Sequence, residues 1–175
     1  FNPLKEKIRK FLKVKLLKYD IEIFTNKIFE ILFTLSHPKE ILKNLTHTLS
    51  EFLNVPEEIL FLLQKKEDFP FEKKDIPENV HLIFDDKSLF FNILKKVKIV
   101  IREEEKRLEM AYPEKKKIVE EFEKLGYEVA VEIEEKEEIK GIIFLKKKQD
   151  SSIFGYRDQL LLLNLGYQIG LSLEN

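Results

Sequence analysis

Apolar positions recur at helical spacing from the start of the chain. Leu4, Ile8, Phe11, Leu12, Leu16 and Tyr19 follow Pro3, which suits a first helical turn. A second stretch at about 21–35 carries Ile21, Phe24, Ile28, Ile31, Leu32 and Leu35, and Ser36-His37-Pro38 ends it. Pro38 opens a third helix bearing Ile41, Leu42, Leu45, Leu49, Phe52 and Leu53. Residues 58–65, 80–84 and 98–101 read as strands, 66–79 as a loop, and 88–96 as a short helix between strands. A segment at 103–109 is helical or irregular. Residues 114–125 form an amphipathic helix stopped by Gly126. Val129, Val131 and Ile133 alternate, Lys136-Glu137 turns the chain, and 139–146 returns, which makes a hairpin. A loop at 147–155 leads into a long final helix. Helices, strands, helix, hairpin and helix in that order give an α+β fold with antiparallel strands.

The final helix has more apolar surface than one sheet-facing side needs. Leu161, Leu162, Leu165, Ile169 and Leu173 suit the sheet. Leu160, Asn164, Tyr167, Leu171 and Glu174 follow a 4-3-4-3 spacing, a second, heptad-like stripe. Either the N-terminal helices cover this stripe or it forms a parallel homodimer seam, and the seam is the expectation.

Charge changes the picture once it is divided by position. The 175 residues hold 31 Lys+Arg and 32 Asp+Glu, a formal net charge of −1. Residues 1–19 alone carry Lys5, Lys7, Arg9, Lys10, Lys13, Lys15 and Lys18 against Glu6, so 7 − 1 = +6, and the remainder is −7. An acidic body argues against nucleic acid as the main partner. The basic helix suits an anionic membrane surface, where each basic residue contributes about 1 kcal/mol. Charged residues reach 36%, mostly Lys and Glu, a thermophile-like bias. With no Cys, the chain can hold no disulfide, thiolate zinc site, Fe–S cluster or thioether-linked cofactor. No apolar run is long enough to span a bilayer. The only Met is Met110 and the last residues stop inside a helical pattern, so the chain reads as an excerpt from a longer polypeptide.

Enzymatic signatures are missing. The chain has no Gly-rich phosphate loop, no His-Glu-x-x-His and no Gly-x-Ser-x-Gly. His37 and His47 lack partners at metal spacing. His81 sits in an expected strand, where a half-exposed surface role is its ordinary reading. The Lys-Glu runs read as solvated faces, and Lys146-Lys147-Lys148 as side chains snorkelling at a strand end.

The last third resembles a GAF domain, the small-molecule-sensing module of bacterial signalling proteins. Ile139-Lys140-Gly141-Ile142-Ile143-Phe144-Leu145 matches its aliphatic-Gly-aliphatic strand. Phe154-Gly155-Tyr156-Arg157-Asp158 matches the Phe-x-x-x-Asp that caps its last helix, followed by Leu161-Leu162, Leu165, Gln168 and Glu174-Asn175. The basic N-terminal helix through Lys18-Tyr19-Asp20 is similar to juxtamembrane helices of sensor histidine kinases.

The resemblance implies a five- or six-stranded antiparallel sheet, with helices from both chain ends on one face and a ligand pocket on the other. It implies linker helices at 1–36 and a sensory domain at 37–175. The implied role is a non-catalytic sensory and dimerisation module on the cytoplasmic side of a membrane, relaying a signal to an output domain of the same chain. Alternatives are the same module on a diguanylate cyclase or transcriptional activator, or a ligand-free spacer. His81, Phe84, Phe90, Tyr127 and Glu128 are the pocket-side candidates, with ordinary core or rim packing as the competing reading of each. Asp75-Ile76-Pro77 matches a tripeptide of bilin-binding relatives, but no cysteine is present for covalent attachment. The cyclic-nucleotide signature is matched only at Phe154 and Asp158, with Gln159 where a Glu belongs. A small-molecule ligand is left open.

Overall fold

A computed structural model describes residues 2–63 and 88–173. The expected strand at 80–84 and loop at 66–79 lie outside the described residues, as do His81, Phe84 and Asp75-Ile76-Pro77.

The chain opens with one continuous helix, α1 (Pro3–Thr34), where two were expected. Asn2 caps it, accepting from the Leu4 and Lys5 amides. Nothing in Tyr19-Asp20-Ile21 breaks a helix; the apolar stripe changes side there instead. Phe24, Ile28 and Ile31 are buried. At 100° per residue they lie roughly opposite Ile8, Phe11, Tyr19, Phe29 and Phe33, all exposed. Helix α2 (Pro38–Leu53) follows and ends at Asn54, whose φ of 56° is the left-handed cap that Asn tolerates.

Four strands form one antiparallel sheet among the described residues: β1 (Leu60–Leu63), β2 (Ile99–Ile101), β3 (Val129–Glu135) and β4 (Glu138–Leu145), in the order β1-β4-β3-β2. The β3–β4 hairpin closes with Lys136 and Glu137 at φ of 52° and 65°. Two residues with positive φ match the right-handed twist of the strands they join, without the usual glycine. Gly141 on β4 pairs with both Leu63 and Ile133, and a Cβ there would sit 2.5 Å from the Leu62 carbonyl oxygen. Only glycine lets the two strands and their neighbours close at that point.

Both faces of the sheet are covered. On one, Val129, Val131, Ile133, Ile143 and Leu145 pack against α1, α2 and the last helix, α6 (Tyr156–Leu173). On the other, Ala130, Ile142 and Phe144 meet α3 (Leu89–Leu94) and α5 (Lys116–Leu125). Helix α4 (Arg102–Leu108) runs straight on from β2, and a single 3-10 turn, Pro113–Lys115, precedes α5. Phe90 stands edge-on to Phe122 and Phe144, at 4.8 and 5.2 Å between ring centroids, the geometry aromatic quadrupoles favour. Helices from the two chain ends therefore share one face, and residues 20–34 of α1 belong to the same core as the body. No helix among the described residues is long and apolar enough to cross a membrane.

Candidate functional site

Helices α1 and α6 lie side by side and run in the same direction. Asp20 of α1 accepts from Arg157 Nε at 2.9 Å, near the start of α6. One turn and a half further along α1, the Thr25 carbonyl accepts from Gln168 Nε2 at 3.2 Å, well along α6. Arg157 also donates to the Phe52 carbonyl at 2.9 Å, so one guanidinium ties α1, α2 and α6 together. Asp158, in the first turn of α6, accepts from the Gly155 amide and pairs with Lys148 at 2.8 Å. Lys148 was expected to snorkel into solvent. It is instead held down beside Phe154, because the buried Asp158 carboxylate requires a cation there.

The expected seam residues divide into two sets. Tyr167 is 62% exposed and Leu171 39% exposed, with Leu160 half-buried on the same side. Asn164 is half-buried and accepts, within α6, from Gln168 Nε2 at 2.6 Å. The α1 helix thus covers one flank of α6 and leaves the Tyr167–Leu171 flank open. The seven basic residues of the N-terminal helix are all exposed. That segment also exposes Leu4, Ile8, Phe11, Leu12, Leu16 and Tyr19.

Of the pocket-side candidates, Phe90, Tyr127 and Glu128 lie among the described residues. Phe90 is 2% exposed inside the aromatic cluster, so it serves the core. Tyr127 packs on Phe144 at 5.6 Å, and burial pushes its phenol up, against the nearby Lys146 charge. Glu128 pairs with Arg102 Nε at 2.8 Å, both side chains almost fully buried. Burial alone would lower the Arg102 guanidinium, but the Glu128 hydrogen bond and charge outweigh it and raise it, helped by Glu103 and Glu123. Glu128 also lines a cleft of about 260 Å³ beside Arg107 and Lys147. His47 is a surface residue, 3.1 Å from Glu57 and 3.4 Å from Glu51. No cluster of three or more metal-ligating side chains occurs among the described residues.

A second cleft, of about 550 Å³, lies under the C-terminal end of α3 and the β3–β4 turn. Glu132 and Glu134 of β3 line it with Lys98. Lys98 Nζ is 2.7 Å from Glu134 and 3.8 Å from Glu132. The Glu132 carboxyl is pushed up to about 7, chiefly by burial and then by its hydrogen bond to Glu134. Lys98 holds Glu134 below the usual carboxylate range. Sequence reasoning passed over Glu132 and Glu134 as part of a solvated Lys-Glu run, and Lys98 as the start of a strand. The signal was the phase: Glu132 shares a strand face with Ala130, and that face is covered by helices.

A scan against protein-family models finds no match for this chain, and no curated protein matches its sequence.

Proposed function

We propose that this chain is a GAF-type sensory and dimerisation module of a two-component sensor histidine kinase. It takes input through α1 or a ligand and relays it through α6 to an output domain of the same chain. The observation that carries this reading is the same-direction pairing of α1 and α6 on one face of an antiparallel sheet, each with an apolar stripe left exposed. Two helices so arranged convert a shift of one into a shift of the other, because their shared contacts repack in discrete steps. The module itself is non-catalytic in this reading. Homodimerisation uses the α6 flank at Leu160, Tyr167 and Leu171. The N-terminal half of α1 lies at the cytoplasmic, anionic surface of a membrane, its +6 charge held there while the −7 remainder is repelled.

A cysteine-free chain makes the dimer directly testable. Leu171→Cys supplies a single thiol close to the proposed two-fold axis. Oxidation is expected to give a disulfide-linked dimer, and Leu171→Glu a monomer by sedimentation. A wild-type chain that sediments as a monomer at high micromolar concentration would sink the reading.

A further inference from the structure

Two glycines of α6 bring its backbone directly onto β3. A Cβ at Gly166 would overlap the Glu132 carbonyl oxygen, and one at Gly170 the Glu134 carbonyl oxygen. The helix therefore rests on the main chain of the two residues whose carboxyls meet in the cleft on the opposite sheet face. A register irregularity between Ile133 and Glu134 falls at the same place. The extra residue there is Lys140 of β4, and such a bulge locally disrupts the ladder beside Glu134.

We propose that Glu132, Glu134 and Lys98 form a proton-responsive latch that sets how α6 sits on β3. With its proton, the Glu132 carboxyl donates to the Glu134 carboxylate, which also accepts from Lys98 Nζ. The trio then carries one anion and one cation. When Glu132 loses its proton to solvent, two carboxylates sit side by side with a single ammonium between them. The Glu132 side chain is only 9% exposed, so its new charge is poorly solvated where it stands. The relief open to it is a shift of residues 132–134 toward the mouth of the cleft. No flexible side chain separates those carbonyls from Gly166 and Gly170, so the shift reaches α6 undamped.

Among the described residues, the other charged groups around the cleft are paired elsewhere or exposed. From the two residues after α3 come Lys95 and Lys96, both exposed, with Lys95 Nζ over the Phe91 ring at 4.4 Å. From the hairpin come Glu137 and Glu138, and Glu138 is paired with Lys140 at 2.9 Å. On β4 the residue opposite Glu132 is Ile142. From α6 no titratable group faces the trio, since Tyr167 points to solvent.

This inference rests on the proposed relay only in giving α6 a signalling role; the latch itself is tested without reference to dimerisation. The experiment follows the ¹⁵N–¹H shifts of Gly166 and Gly170 from about pH 5 to about pH 9, alongside the Glu132 carboxyl carbon. Both glycines are expected to move in one step with the Glu132 midpoint, near 7. Glu132→Gln is expected to flatten both curves. Lys98→Met, at a side chain 61% exposed, is expected to fold normally and to raise the midpoint, because it removes the cation that favours ionisation. Glycine shifts that stay flat while Glu132 titrates would overturn the latch, as would a midpoint that Lys98→Met leaves in place. A monomeric chain whose glycines still titrate would remove the dimer reading and keep the latch.

Discussion

Gly170→Ala sets two opposed terms against each other at one position. In a helix interior alanine is favoured over glycine by about 1 kcal/mol, because glycine loses more backbone freedom on folding. If α6 had room, the variant would be more stable. The structure says it has none: a Cβ at Gly170 falls more than 1 Å inside the 3.0 Å that real contacts essentially never cross. The obstacle is the main-chain carbonyl of Glu134, in a strand that β4 pairs at that point, and not the yielding tip of a side chain. The helix has to lift, and Leu162, Leu165 and Ile169 lift with it. Overpacking of this kind costs about 1–3 kcal/mol, with lost contacts at three core side chains adding to it. A net loss of about 2 kcal/mol is expected. In urea that lowers the unfolding midpoint by roughly 1 M, at an m of about 2 kcal/mol/M for a chain of this size. Gly166→Ala, with a smaller overlap, is expected to lose less. Equal or higher midpoints for Gly170→Ala would refute the close seating of α6, and with it the undamped coupling to Glu134.

Two other outcomes follow from buried charge. Arg102→Met leaves Glu128 buried and unpaired, and should cost about 3–5 kcal/mol, whereas Arg102→Met with Glu128→Leu should recover most of it; chemical denaturation of the two variants checks the difference. Stability should fall as pH rises from about 4.5 to about 7, because the folded chain keeps the Glu132 proton over that window and the unfolded chain does not. Glu134, held below its usual range, adds stability that is lost only at lower pH, as pH falls through its folded value. Urea midpoints across pH should therefore show the decline in the wild type and not in Glu132→Gln.

Element types were largely readable from period. The hairpin, α5 with its Gly126 stop and the sheet-facing Leu161, Leu162, Leu165 and Ile169 all follow from alternation or helical spacing, because one face of each is buried in one direction. The break assigned near residue 20 was a change in which side of a single helix is apolar, and a periodicity read in short windows mistakes that for an ending. Lys148 and Glu132 show a different limit. Both belong to runs of charge that look solvated, and burial comes from partners on other elements: Asp158 of α6 for the first, the α3 end and the neighbouring strands for the second. Spacing along the chain holds no record of such meetings. Glu128 was singled out as a pocket residue, and its partner Arg102 was not, since nothing in the run 102–107 distinguishes the one cation that ends up buried.

Helix α1 is held by the core only over its second half, while residues 3–19 project beyond it for about 25 Å at 1.5 Å per residue. A stiff rod clamped at one end is a lever. A tilt of about 5° at the clamp sweeps the free end through about 2 Å, comparable with the helix displacements by which packed interfaces switch. Run in reverse, a displacement of that size at the tip reaches the Asp20–Arg157 contact as a rotation of about 5°. The molecule thus has a built-in gearing: motion is large and cheap at the basic tip, and small but forceful where α1 grips α6.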